Sequence, residues 1–166
     1  QIKNIKSLKK GMTNRSFLFE INHDKYIMRI PGEGTDQLIN RKEEYEVYQV
    51  IKDLNISDEV IYMNPQNGYK ITKYLDDTRV CNQDNDEDLI KCMKLLKEFH
   101  NQDLKVEHEF DVFEKMEFYE NLRGPKSLYK DYKQTKEKVL SLKKIIDQLP
   151  KEWKLCHIDA NCDNFL

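Results

Sequence analysis

The chain has 166 residues, enough for one or two domains with a real core. Its residues are 39% apolar and 35% charged, and 28 Lys and Arg against 30 Asp and Glu leave a formal net charge of -2. That balance excludes a basic nucleic-acid-binding protein and an acidic disordered tail, and describes a solvated surface of mixed sign around a modest core.

Other classes fall away on pattern. Charge breaks every apolar run far short of the roughly 18 residues a membrane span needs, so no membrane insertion is expected. Gln1-Ile2-Lys3-Asn4 opens no signal peptide. Cys81, Cys92, Cys156 and Cys162 form no CxxC pair. They read as reduced thiols of a cytoplasmic protein, not as zinc ligands.

Phe17-Leu18-Phe19-Glu20-Ile21 and Tyr26-Ile27-Met28-Arg29-Ile30 read as strands, joined by a hairpin turn over Asn22-His23-Asp24-Lys25. Pro31-Gly32-Glu33-Gly34 stops the second strand. Asp36 is predicted to cap a helix running to about Leu54, with Leu38, Tyr45, Tyr48, Ile51 and Leu54 on its apolar face. Val60-Ile61-Tyr62-Met63 and Tyr69 to Tyr74 are two more strands, joined by the turn Asn64-Pro65-Gln66-Asn67-Gly68.

After Leu75 the character changes. Asn82 to Asp88 is an acidic connection leading into a helix whose predicted inner face is Leu89, Met93, Leu96 and His100. Val112, Phe113, Met116, Tyr119 and Leu122 predict a shorter helix, broken by Gly124-Pro125. Val139, Leu142, Ile145, Ile146 and Leu149 predict a third, ended by Pro150. The expected class is α+β: a mostly antiparallel sheet with one helix, then a helical remainder, with the boundary near residues 75–85.

Four segments carry candidate chemistry. Lys10-Gly11-Met12-Thr13-Asn14 precedes the first predicted strand, and a small Gly/Thr/Asn loop can aim backbone N–H groups at phosphate oxygens or be an ordinary turn. Arg29 shares a strand face with Ile27 and can grip phosphate oxygens or pair with a carboxylate. Glu43-Glu44-Tyr45-Glu46 is a solvated helix face unless one Glu turns inward to Arg29. In Leu155-Cys156-His157-Ile158-Asp159-Ala160-Asn161-Cys162-Asp163-Asn164-Phe165-Leu166, His157, Asp159 and Asn164 are set as HxDxxxxN. There Asp159 can take a proton from an attacking hydroxyl, Asn164 can offer a carbonyl oxygen to Mg2+, and His157 can hold the loop by hydrogen bonds.

This HxDxxxxN segment resembles the catalytic loop of the aminoglycoside phosphotransferase and choline kinase superfamily, which shares the protein-kinase-like fold. Gly11-Met12-Thr13-Asn14-Arg15-Ser16-Phe17, Met28 to Thr35 and Ile39-Asn40-Arg41 are similar to the bacterial LicA type of choline kinase. The resemblance implies a two-lobed fold, with an antiparallel-sheet nucleotide lobe over residues 1–78 and an incomplete helical lobe over 79–166. It implies transfer of the ATP γ-phosphate to choline with Mg2+; ethanolamine, thiamine or an aminoglycoside are alternative acceptors, and a non-catalytic nucleotide-binding module is the alternative of another class.

Position by position, the resemblance assigns Met12, Thr13 and Asn14 to the ATP phosphates and Arg29 to the place of the phosphate-gripping Lys. Glu44, in the family's NRxxE pattern, becomes the partner of Arg29, with Glu43 and Glu46 as alternatives. Lys73, Tyr74 and Leu75 become the adenine-binding hinge, Asp159 the catalytic base in a loop held by His157, and Asn164 a Mg2+ ligand. The family's second acidic metal ligand and most of its aromatic choline pocket lie beyond the position of Leu166. The resemblance therefore implies that these residues are the first part of a kinase and inactive alone.

Overall fold

A computed structural model of the chain describes residues 1–8, 13–124 and 126–166. It forms two compact units, Gln1–Val106 with Leu155–Leu166, and Glu107–Lys154.

The first unit is built on an antiparallel sheet of β1 (Lys3–Leu8), β2 (Asn14–Ile21), β3 (Asp24–Pro31), β4 (Val60–Met63) and β5 (Lys70–Lys73), in the order β1-β2-β3-β5-β4. The β2–β3 hairpin closes on two residues, Asn22 and His23, at φ 52° and 75°. Both central residues of a type I′ turn need positive φ, and that turn matches the twist of the strands it joins. The register sets Arg29 opposite Ser16 on one side and Lys70 on the other. Directly opposed residues share a face, so Arg29, Lys70 and, one step along, Ile27 and Thr72 point to the same side.

Helix α1 (Arg41–Ile51) covers that side. Its Glu44 meets Arg29, and one turn on, Tyr48 accepts a 2.6 Å hydrogen bond from Lys70 Nζ, which also sits 4.1 Å from the ring centroid. The other side of the sheet buries Phe19, stacked on Tyr26.

The predicted cap of α1 is corrected. Asp36 lies inside a separate 3-10 turn, Thr35–Gln37, and Asn40 is the cap. The Asn40 side chain accepts from the N–H groups of Lys42 and Glu43 at 3.1 and 3.3 Å. Strand β1 was not expected from the pattern. Its KNIKSL has no apolar alternation, because it is an edge strand that leaves Ile5 66% exposed and shields the edge with lysines.

Helix α2 (Asp86–His100) is capped by Asn85. Its inner face is turned by about one residue from the expected one: Asp88 and Cys92 are buried while Met93 is 54% exposed. The cause is polar. Both Arg79 guanidinium nitrogens donate to Asp88, at 2.5 and 2.8 Å, and the Asn82 N–H donates to it at 2.9 Å. No disulfide joins the cysteines among the described residues.

The second unit holds α3 (Val112–Arg123), α4 (Tyr132–Ser141) and α5 (Lys143–Ile146). Asp111 caps α3 by accepting from Phe113 and Glu114 N–H groups, and Gly124 at φ 85° ends it. Of the predicted α3 face, Phe113 and Met116 are half-buried while Val112, Tyr119 and Leu122 stay exposed. The single predicted third helix is two. Ser141 Oγ donates to Lys138 O at 2.7 Å and the Leu142 N–H bonds back only three residues to Val139 O, so the ladder breaks at Leu142. Lys136 pairs with Glu120, and Arg123 lies over the Tyr132 ring.

Candidate active site

The first unit carries four groups of residues that sequence reasoning singled out. At the mouth of β2, Thr13 and Asn14 are clasped to the turn after β3, where the Gly32 N–H donates to Thr13 O at 2.8 Å. The approach is close: a Cβ on Gly32 would stand 3.0 Å from that oxygen, so a larger residue would push the loop back by a few tenths of an ångström. Asn14 Nδ2 donates to Thr13 Oγ1 at 3.2 Å. Met12, with Lys10 and Gly11, lies outside the described residues.

Behind this clasp, Glu44 is the carboxylate that faces Arg29, taking an N–H from it on Oε1. Glu43 is engaged elsewhere, by Asn40 Nδ2 at 2.7 Å. Glu44 Oε2 accepts a second guanidinium, Arg41 Nη1, at 3.0 Å. Two positive charges thus share one negative charge, with Arg29 and Glu44 each 18% exposed. At such half-buried sites charge-assisted bonds are stronger than in water. Arg29 Nε and Arg41 Nε are both buried with no acceptor among the described residues. The site therefore has surplus positive charge, which a phosphate group requires. Sequence reasoning assigned Arg41 no role, although its i,i+3 spacing to Glu44 was a readable signal.

At the end of β5, the Lys73 N–H donates to Glu59 O and the Tyr74 N–H to Lys25 O, at 2.9 and 3.0 Å. Leu75 is the next residue, and its N–H has no acceptor among the described residues. An adenine ring edge needs such a free backbone donor.

The HxDxxxxN segment is a tight loop closed by a 3-10 turn, Cys162–Asn164. Asp159 Oδ1 accepts Asn161 Nδ2 at 2.9 Å, and Oδ2 accepts Asn164 Nδ2 at 3.2 Å. Asn164 Nδ2 also donates to Asp159 O at 2.7 Å. With its nitrogen committed, the Asn164 amide keeps Oδ1, a hard oxygen of the kind Mg2+ takes. Ile158 stands at φ 68°, a costly conformation for a β-branched residue, held at the loop's turn between His157 and Asp159. His157 stacks on Phe165 at 6.3 Å between centroids. Behind the loop a hollow is lined by Leu89, Cys92, Met93, Cys162 and Phe165. Burial, and then Cys81, pushes the Cys162 thiol up from its ordinary pKa.

The architecture is matched by solved structures. Choline kinase LicA from Streptococcus pneumoniae superposes at a TM-score of 0.87 with 27% identity, over 98% of this chain and 58% of that one. A structure of LicA in complex with AMP gives 0.82 with 28% identity, over 96% of this chain and 55% of that one. Protein LicA of Haemophilus influenzae is 27% identical over 165 residues, 94% of this chain and 48% of its own length. Sheet, helices and loop define an α+β fold of the protein-kinase-like phosphotransferase class. The choline/ethanolamine kinase family model matches residues 5–166, and the chain belongs to that family. It spans 48% and 60% of the length of the two curated relatives it matches.

Proposed function

We propose that the whole protein is a small-molecule kinase that moves the γ-phosphoryl group of ATP to the hydroxyl of choline, giving phosphocholine. The observation that carries this reading is the pairing of Arg29 with Glu44 in the same compact unit as an Asp159 carboxylate oriented by two amides, in a chain of this family.

Arg29, with Thr13, Asn14 and Met12 along the loop before β2, grips the phosphates, and Glu44 fixes the guanidinium. The Leu75 N–H, next to Lys73 and Tyr74, meets adenine; a relative of this fold has been solved with AMP bound. Asp159 takes the proton of the acceptor hydroxyl as its oxygen attacks the γ-phosphorus and ADP leaves. Asn161 and Asn164 aim the carboxylate, and His157, stacked on Phe165, steadies the loop. Mg2+, when bound through Asn164 Oδ1, supplies charge neutralisation at the phosphates. Positioning and electrostatics carry such a reaction, since it asks little covalent chemistry of the protein. Residues 1–78 act as the nucleotide lobe and 79–166 as part of the acceptor lobe. Among the described residues no helix is long and apolar enough to cross a membrane. The ATP this reading requires places the protein in the cytoplasm.

The test is ADP release by the whole protein with ATP and Mg2+, comparing choline with ethanolamine, the other acceptor in the family's name. Choline is expected to be turned over at the higher kcat/KM. Asp159→Asn should keep ATP affinity and lower turnover by at least about 100-fold. Turnover of that variant within a few-fold of wild type would remove Asp159 from the role of base.

A further inference from the structure

Arg41 is oddly placed for a residue of helix stability. It is the first residue of α1, at the positive end of the helix dipole, where a cation is disfavoured. It is also only 6% exposed, and a guanidinium is rarely buried unless it is paired. The fold makes room for it: a Cβ on Gly68, at φ 69° in the β4–β5 turn, would lie 2.6 Å from Arg41 Cδ. The structure therefore builds a pocket around this side chain.

What the pocket holds is a fork with two different ends. Nη1 reaches Glu44 Oε2 at 3.0 Å, and Nη2 reaches Thr35 Oγ1 at 3.0 Å. Thr35, 5% exposed, passes the contact on, since its hydroxyl donates to Gly32 O at 2.8 Å. Gly32 in turn donates its N–H to Thr13 O at 2.8 Å. The hydroxyl spends its one proton on Gly32 O and a lone pair on Arg41, so the guanidinium and the hydroxyl are fixed in direction, and the backbone of Gly32 carries the link on to Thr13.

Resting on the kinase reading above, we propose that Arg41 and Thr35 are positioning residues that lock the phosphate loop at Thr13–Asn14 to the Arg29–Glu44 pair. Neither touches ATP. Glu44 is the shared member: one oxygen orients the guanidinium that grips phosphate, the other holds the fork that sets the loop. The loop and the gripping arginine are thereby placed as one unit, and loss of the link weakens phosphate binding while leaving the adenine end alone.

The experiment measures the Kd of ATP and of adenosine by calorimetry for wild type, Thr35→Val, Thr35→Ser and Arg41→Lys, with hydrogen exchange at the Gly32 amide as a second readout. Thr35→Val keeps shape and removes the hydroxyl. It is expected to raise the Kd of ATP by about tenfold, as loss of a hydrogen bond to a charged group does. It should change adenosine affinity by less than about twofold and speed exchange at Gly32. Thr35→Ser should recover most of the ATP affinity. Arg41→Lys, which keeps the charge but not the fork, should behave like Thr35→Val. If a variant fails to fold, Gly32 exchange and ATP affinity in the other variants decide the matter. Equal loss of ATP and adenosine affinity, or an unchanged Kd for ATP in both Thr35→Val and Arg41→Lys, overturns the inference and leaves the kinase reading standing. Wild type that binds adenosine and ATP equally, or neither, overturns both.

Discussion

Glu44 balances two guanidiniums with a single charge, and that arithmetic makes the residue-scale predictions asymmetric. Arg29→Ala removes the phosphate grip and is expected to weaken ATP binding by about tenfold or more, with adenosine affected by less than about twofold. Equal loss of both would take Arg29 away from the phosphates. Glu44→Gln leaves both Arg29 and Arg41 without a counter-charge and should shift ATP affinity in the same direction as Arg29→Ala, whereas Glu46→Gln should not; the reverse ranking would place the helix register wrongly. The family resemblance pointed to Glu44 through its NRxxE pattern, with Glu43 and Glu46 as alternatives because the three crowd a single helical turn. The choice depended on where the helix begins. Asn40, not Asp36, is the cap, and Asn40 also engages Glu43, which leaves Glu44 facing the sheet.

Elements were legible where an apolar period drove them and illegible where polar contacts did. The β2–β3 hairpin and the β4–β5 turn follow from alternation and turn residues. The inner face of α2 does not, because it is set by a carboxylate: Asp88 is buried by its bonds to Arg79 and to the Asn82 N–H. This clasp reaches the HxDxxxxN loop, since the Cys81 N–H within the held segment donates to Phe165 O at 3.0 Å. Arg79 beside Asp88, followed by the Asn82 N–H, holds its carboxyl well below the ordinary carboxylate range. A depressed folded pKa means the unfolded chain binds more protons, so the clasp's contribution is fully present above the ordinary carboxylate pKa of about 4 and is lost as pH falls below it. Melting temperature should therefore drop as pH is lowered from about 5 toward 2. Asp88→Asn should melt a few degrees lower at pH 7 and show a shallower acid limb. An acid limb of unchanged slope in the variant would remove Asp88 from this account.

At the scale of the whole molecule, the order of parts was plain in the chain: the Gly/Thr/Asn segment, arginine strand, acidic helix, then helices and the HxDxxxxN loop. What the sequence left unstated is how much apolar surface the 166 residues bury among themselves. Leu142, Ile145, Ile146 and Leu149, the apolar face of the third predicted helix, are all exposed, as are Ile90 and Met93 on α2. An exposed apolar helix face drives association. The 166-residue chain on its own is therefore expected to self-associate as concentration rises, measurable by light scattering. It should bind ATP weakly through Arg29 and the free Leu75 N–H. Two-metal phosphoryl transfer leans on acidic ligands as well as an amide oxygen, and the proposed reading assigns these residues one metal ligand, Asn164. Choline-dependent ADP release by the chain alone should then lie far below that of the whole protein. Turnover close to that of the whole protein would mean that a further metal ligand sits within these residues, and Asp163, in the 3-10 turn beside Asn164, is the side chain to substitute first.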